Sequence, residues 1–197
     1  MSNKDNSRIT VVIADDDRSI RETIKKCLEN SKYVIKAEAS NGMEAITKCK
    51  EILPELLLID IAMPNMDGVA ATKIIKHENL AKTVVILTSF SDETNIQKAV
   101  QAGAIGYLTK PIVKENVLST LEICLRRSKE YHLAQKEYKS IEKRLESRKY
   151  IDKAKLLIME QNGISETEAY ETIRELSHLK GLSMEEISKY ITTEGRS

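Results

Sequence analysis

Short apolar runs alternate with helix-like stretches over about the first 125 residues of the chain. Four of these runs are uninterrupted, which is typical of parallel strands buried on both faces. They are residues 11–14, 56–59, 84–87 and 104–108. A fifth run, 34–39, alternates with charged residues, which indicates a strand at a sheet edge. The pattern predicts a doubly wound α/β domain with a five-stranded parallel sheet over residues 8–125.

The pattern changes after Pro111. No Gly or Pro occurs between Lys114 and Gly163, and residues 126–149 are strongly polar. Apolar side chains recur there at alternating steps of three and four, which predicts a heptad-like seam along one long helix. The seam consists of Tyr131, Ala134, Tyr138, Ile141 and Leu145. Residues 126–147 are therefore either a solvated helical linker or, as we favour, a coiled-coil helix that pairs with its copy in a dimer.

The last 50 residues have the pattern of three short helices. Ser165 with Glu168, and Ser183 with Glu186, each fit a capping box, so two helices should begin there. Gly163 stands just upstream, where a preceding helix would end. The sequence predicts a small all-α module over residues 148–193. Because so short a unit buries little apolar surface by itself, it should pack against the long helix or against a partner chain.

Composition narrows the class of protein. The formal net charge of +1 gives no global attraction to nucleic acid or anionic membranes, so any such site must be local. The three cysteines are far apart and lie on apolar helical stripes, which predicts buried, reduced thiols and a cytoplasmic protein. No apolar run approaches the roughly 20 residues of a membrane span, and the polar start carries no secretory signal pattern.

Polar side chains follow four of the predicted strands. They are Asp15, Asp16, Asp60, Thr88 and Lys110. The carboxyl ends of parallel strands meet at one edge, so these side chains should share a pocket. Two carboxylates about 4 Å apart repel by roughly 4 kcal/mol at an effective dielectric near 20, and Mg²⁺ would remove that repulsion. Together with the ammonium of Lys110, such a site suits transfer of a phosphoryl group to a carboxylate.

In their order and spacing, these motifs resemble the receiver domain of response regulators over about residues 8–125. The matching pieces are residues 14–17, 59–68, 87–89 and 106–111. The resemblance implies that Asp60 is the phosphoacceptor. It also implies that Asp16 and Asp60 bind Mg²⁺ with the main-chain carbonyl of Ala62, while Asp15 acts mostly through water. Thr88 and Lys110 would bind the phosphoryl group.

The same resemblance implies a switch and a partner. Tyr107 would turn inward when Thr88 shifts, and the Lys110–Pro111 peptide would be cis. The sequence lacks a phosphate-cradling P-loop, so ATP is not the expected direct donor. The resemblance implies that the donor is a phosphohistidine on a cognate sensor kinase. The protein would catalyse only its own phosphorylation and slow hydrolysis. Ala62 and Phe90, two positions beyond Asp60 and Thr88, cannot orient a water molecule, which predicts a long-lived phosphoryl group.

The C-terminal segment from Arg148 to Ile191 resembles the ANTAR domain, a three-helix RNA-binding module of antiterminators. The matching residues are Arg148, Ile151, Ala154, Lys155, residues 157–160, Ser165, Glu166, Ala169, Tyr170, Ile173, Arg174 and Ser177. Leu156 and Ser188 depart from the family pattern, where glycine-like and alanine residues are usual. The resemblance implies binding to paired hairpins in mRNA leaders, which would prevent formation of a terminator. Paired hairpins suit a dimer.

The RNA contacts should be local, because residues from Arg148 onward hold eight basic and nine acidic side chains. Tyr170 could stack on an unpaired base, although a place in the core is an equal alternative. The candidate basic contacts are Arg148, Lys149, Lys153, Lys155 and Arg174. Two other functions stay open, a DNA-binding helix-turn-helix and a receiver acting only through protein contacts. Against the first, residues 184–191 form a short helix whose only basic residue is Lys189.

Overall fold

The structure is a computed structural model that describes residues 8–89 and 93–194. The chain forms two compact units, Met1–Tyr131 and His132–Ser197. The first contains the predicted sheet and the second the C-terminal helices. A single helix contributes residues to both units.

The first unit contains a parallel sheet of five strands in the order β2-β1-β3-β4-β5. The strands are β1 (Ile9–Ala14), β2 (Tyr33–Ala39), β3 (Leu56–Asp60), β4 (Thr83–Ser89) and β5 (Gly106–Lys110). This confirms the predicted fold class and the edge position of β2. The prediction that β5 begins at Ala104 was wrong, because the Ala104 N–H bonds to the carbonyl of Ala99 and closes the preceding helix. The Ile105 N–H bonds to the Val84 carbonyl of β4, and residues are in register with β4 from Gly106 onward.

Four helices connect the strands. They are α1 (Arg18–Leu28), α2 (Gly42–Ile52), α3 (Gly68–His77) and α4 (Glu93–Gln101). The first three begin at Asp17, Asn41 and Asp67, whose side chains accept hydrogen bonds from main-chain N–H groups of the first turn. Such caps satisfy donors that a helix leaves unpaired, so each loop ends at a defined residue.

Alternate strand residues face opposite layers of helices, as the pleat of a strand requires. On one side, Ile59 packs in a cluster with Ile75 of α3. On the other side, Leu58 packs in a cluster with Ile24 of α1 and Leu121. The strands are therefore buried on both faces, and this fixes the positions of the polar residues at their ends. The three cysteines lie in these clusters, buried and unpaired as predicted.

Helix α5 (Lys114–Asn162) is 49 residues long and supplies the first helix of the C-terminal unit. The prediction of three short helices was wrong in this respect. No Gly or Pro interrupts these residues, so nothing in the chain ends the helix before Gly163, which has a φ of 66°.

Two further helices complete the second unit, α6 (Glu166–Lys180) and α7 (Met184–Glu194). Ser165 and Glu168 form the predicted capping box at α6, and the Ser183 and Glu186 side chains bond in the same way before α7. The core of the unit is small and is drawn from all three helices. Its buried members are Ala154, Ile158, Ala169, Ile173 and Ile187.

Candidate functional site

One ammonium bridges two carboxylates at the carboxyl ends of β1, β3 and β5. Lys110 Nζ lies 2.8 Å from Asp15 Oδ2 and 2.7 Å from Asp60 Oδ1. One carboxylate oxygen from each of Asp15, Asp16 and Asp60 lies within 4.8 Å of the others. Asp15 and Asp60 are buried, whereas Asp16 is exposed. The structure thus brings together four of the residues predicted to share the pocket.

Local hydrogen bonds hold the end of β1. The Asp17 N–H donates to Asp15 Oδ1 at 3.0 Å, and Arg21 Nη1 donates to the Asp15 carbonyl at 2.6 Å. The turn that opens with Asp15 is therefore fixed on both sides. Asp17 also caps α1, so residues 15–17 connect the end of β1 to the start of α1.

A glycine packs directly against the backbone of the phosphoacceptor candidate. The Gly68 N–H donates to the Ile61 carbonyl at 2.9 Å. A Cβ at Gly68 would lie 1.9 Å from the Asp60 carbonyl oxygen, a separation that no side chain tolerates. Gly68 ends the 59–68 motif and follows the Asp67 cap, but the sequence analysis assigned it no role in forming the site.

The surroundings of Asp60 oppose its ionisation. Burial raises the pKa of Asp60, and the hydrogen bond from Lys110 only partly opposes this. Burial lowers the pKa of Lys110, but its close contacts with the carboxylates of Asp15 and Asp60 outweigh this effect, so its pKa is raised. The buried Asp15 Oδ2 accepts no hydrogen bond of good geometry, although Lys110 is close. The site therefore has three clustered carboxylates, and one oxygen of Asp15 lacks a hydrogen bond. Carboxylate oxygens are the ligands that a hard dication such as Mg²⁺ prefers.

The remaining receiver candidates flank this cluster. Thr88 is buried on β4, and its hydroxyl donates to the Ser89 carbonyl at 3.2 Å. Tyr107 on β5 is 48% exposed, so its side chain is turned outward. Ala62 offers a main-chain hydrogen bond that lowers the pKa of Asp60 slightly against the effect of burial. The Lys110–Pro111 peptide is cis, as expected. Phe90 lies outside the described residues.

The second unit contains a cleft of about 600 Å³ between α5, α6 and α7. Three of the predicted RNA contacts, Arg148, Lys155 and Tyr170, line it together with Asp152 and Glu185. Lys143 and Arg144 line it as well. Sequence reasoning missed these two, although Arg144 precedes Arg148 by one helical turn.

Some of the basic residues predicted to contact RNA form ion pairs with acidic side chains. Lys155 Nζ lies 2.9 Å from Asp152 Oδ1 and 2.6 Å from Glu166 Oε1. Arg174 Nη2 lies 3.0 Å from Glu171 Oε2 and, like Lys149 and Lys153, does not line the cleft.

Tyr170 is 40% exposed at the cleft, whereas its neighbour Ala169 is buried. Tyr170 is therefore available at the surface and does not belong to the buried core.

The seam predicted on the long helix is an uncovered surface. All five of its side chains, from Tyr131 to Leu145, are exposed on α5. In the part of the chain that the structure describes, no helix combines the length and the apolarity needed to cross a membrane.

Comparison with known proteins assigns the two units. Residues 11–122 match the response regulator receiver domain family, and residues 139–191 match the ANTAR domain family. The transcriptional regulatory protein PdtaR of Mycobacterium tuberculosis is 30% identical over 181 residues, which cover 92% of this chain and 88% of that protein.

Receiver proteins match the first unit alone. The chemotaxis protein CheY of Halobacterium salinarum is 39% identical over 111 residues, covering 56% of this chain and 92% of that protein. Among solved structures, the chemotaxis protein CheY4 of Vibrio cholerae superposes with a TM-score of 0.56 at 28% identity, over 60% of this chain and 99% of that one. The chain therefore belongs to the response regulators, with a receiver domain followed by a C-terminal ANTAR domain.

Proposed function

We propose that this protein is a phosphorylation-dependent response regulator that binds structured leader RNA and prevents transcription termination. The observation that carries the proposal is the combination, in one chain, of the Lys110-bridged acidic cluster with a basic cleft beside Tyr170. The family matches support the same combination of phosphoacceptor and RNA-binding module. The proposed domains are a receiver at 8–125, a helical linker at 126–147 and an RNA-binding domain at 148–193.

Phosphorylation would take place at Asp60. A carboxylate oxygen of Asp60 attacks the phosphorus of a phosphohistidine on a sensor kinase, and the bond from phosphorus to the histidine nitrogen breaks. An acyl phosphate forms, and the released imidazole takes up a proton. Lys110, already 2.7 Å from Asp60, would stabilise the charge on the phosphoryl oxygens. Thr88 would exchange its hydrogen bond to Ser89 for one to the phosphoryl group.

Asp15, Asp16 and Asp60, with the main-chain carbonyl of Ala62, would hold Mg²⁺ in this site. When bound, the ion would supply positive charge that neutralises the oxygens of the phosphoryl group during transfer. Outside this self-directed reaction we propose no enzymatic activity. Because Ala62 carries no group that positions water, the phosphorylated form should persist long enough to signal.

Movement of Thr88 would then release Tyr107 from its outward position on β5. The resulting change in the face formed by α4, β5 and the start of α5 would shift a monomer–dimer equilibrium in favour of the dimer. The seam on α5 would be a further self-association surface, separate from that face. Two copies of the RNA-binding unit would engage the two hairpins of a nascent leader in the cytoplasm.

RNA binding is proposed for the cleft and its surroundings. Arg148 and Lys155 would contact phosphates inside the cleft, and Tyr170 would stack on an unpaired base. Lys149, Lys153 and Arg174 would contact phosphates outside it. Since Lys155 is paired with two acidic side chains, RNA must displace those pairs before Lys155 contributes.

A retention assay separates this function from its alternatives. The full-length protein, with and without beryllofluoride as a phosphoryl mimic, is mixed with double-hairpin leader RNA or with duplex DNA of equal length. We expect retention of the RNA alone, stronger with beryllofluoride and unchanged by it in Asp60→Asn. Retention of the DNA would support a DNA-binding regulator. Retention of neither would support a receiver that acts through protein contacts.

A further inference from the structure

The charged residues beside the seam follow a definite order. If Tyr138 and Ile141 occupy core positions of a heptad, then Glu137 and Arg144 lie on one flank of the seam, and Glu142 and Lys149 lie on the other. All four charged side chains are exposed on α5. Within the described residues none of them forms an ion pair, so all four are available to a second helix.

A parallel pair of seams would bring like charges together. In that alignment each flanking residue faces the residue five positions further along the second copy, on the opposite flank. Glu137 would face the second copy's Glu142, and Arg144 would face the second copy's Lys149. Arg148, at the next core position, would stand against its own copy. Like charges at these positions oppose the pairing.

An antiparallel pair of seams brings opposite charges together. A two-fold axis perpendicular to the helices places the same flank of both copies side by side, so Glu137 faces the second copy's Arg144, twice by symmetry. The apolar residues also become complementary in size. Ala134 then lies opposite Leu145, and Tyr138 lies opposite Ile141, so a small or flat side chain meets a branched one.

We propose that, in the unphosphorylated protein, the seam docks antiparallel on the seam of a second copy of this chain. The inference rests on the part of the proposed function that makes the seam a self-association surface, and it adds the orientation. It also adds a consequence for RNA, because Arg144 lines the basic cleft. The second copy's Glu137 and an RNA phosphate compete for one guanidinium, so the antiparallel dimer binds RNA weakly.

Sedimentation of the full-length, unphosphorylated protein at low ionic strength tests the orientation. Glu137→Arg places two arginines against each other in the antiparallel dimer and weakens self-association by about tenfold, as Arg144→Glu does with two glutamates. The double variant Glu137→Arg/Arg144→Glu restores association. Lys136→Glu, on the outer face of α5, is the matched control and changes association less than twofold.

In the parallel alignment the two single variants would strengthen self-association, because the arginine of Glu137→Arg would then face Glu142 and the glutamate of Arg144→Glu would face Lys149. Single variants that associate more tightly than the natural chain would overturn the proposal, and so would a natural chain that stays monomeric at every concentration. Both results leave the proposed phosphorylation and RNA binding standing, since RNA retention by the beryllofluoride-treated protein is measured separately.

Discussion

Lys110 and Asp60 end two different strands, yet their charged atoms lie only 2.7 Å apart. Both side chains are at the carboxyl edge of the parallel sheet, and β4 separates β3 from β5 there. The same ammonium also contacts Asp15 at the end of β1. Lys110 therefore provides the positive charge that allows two buried carboxylates to be close neighbours in the absence of a dication.

Removal of Lys110 should make the fold depend on a divalent cation. In Lys110→Met, Asp15 and Asp60 remain buried without a counter-charge, which should cost about 2 kcal/mol of unfolding free energy at neutral pH. Mg²⁺ should restore more stability to this variant than it adds to the natural protein, because the ion replaces the lost ammonium. Thermal unfolding with EDTA or with Mg²⁺ measures both effects.

Lys76→Met is the control for that experiment. Lys76 Nζ donates to the Lys82 carbonyl at 3.2 Å and has no part in the acidic cluster. Its unfolding should respond to Mg²⁺ as the natural protein does. Equal responses of the two variants to Mg²⁺ would contradict the role assigned to Lys110.

Asp60→Asn should gain stability relative to the natural protein as pH rises. Burial raises the pKa of Asp60 above its usual value of 3.8, so the contribution of Asp60 to stability is fully present below that value and is lost as pH rises through the raised pKa of the folded state. The amide side chain of the variant does not ionise, so residue 60 causes no such loss of stability in the variant. Urea unfolding between acid and neutral pH should show the difference growing in favour of the variant.

Asp17→Asn should show the opposite trend. A hydrogen bond from Ser19 lowers the pKa of Asp17, so ionised Asp17 stabilises the protein above its usual pKa and loses that effect as pH falls. The free energy of unfolding of the variant, relative to that of the natural protein, should therefore decrease as pH rises. If both variants follow one trend, burial is not what shifts the pKa of Asp60.

Much of the receiver could be predicted from the sequence, because its central strands β1, β3 and β4 are largely buried on both faces and contain unbroken apolar runs. The position of Asp60 could be predicted because it follows such a run directly, and that of Lys110 because it follows the shorter run before it on β5. The outward position of Tyr107 could not be predicted, because β5 is short and pairs with another strand on one side only. The pairing of Lys155 with Glu166 depends on how α6 packs on α5, which local pattern does not encode.

Gly68→Ala should destabilise the protein by more than about 2 kcal/mol, through a backbone clash. The added methyl group would lie 1.9 Å from the Asp60 carbonyl, so the loop or β3 must move. Gly163→Ala is the matched control. Nothing lies within 4 Å of its added Cβ, so only its positive φ opposes the change, at about 1 kcal/mol. Equal losses of unfolding free energy in denaturant titrations would show that Gly68 is not tightly packed on Asp60.

Tyr170→Ala should weaken binding of leader RNA about tenfold, because a stacked base contributes roughly 1–3 kcal/mol. Tyr170→Phe keeps the ring and should bind within twofold of the natural protein. The exposed position of the side chain means that neither change should unfold α6. Fluorescence anisotropy with a labelled hairpin measures the affinities. If Tyr170→Phe binds as poorly as Tyr170→Ala, the hydroxyl and not the ring makes the contact.

The most direct test of the account is covalent labelling of Asp60. Full-length protein is incubated with radiolabelled acetyl phosphate and Mg²⁺, and incorporation is compared between the natural chain and Asp60→Asn. We expect acid-stable, base-labile label on the natural chain, none on Asp60→Asn, and no label when EDTA is present from the start. Equal labelling of Asp60→Asn would contradict the assignment of Asp60 as phosphoacceptor, on which the switch depends.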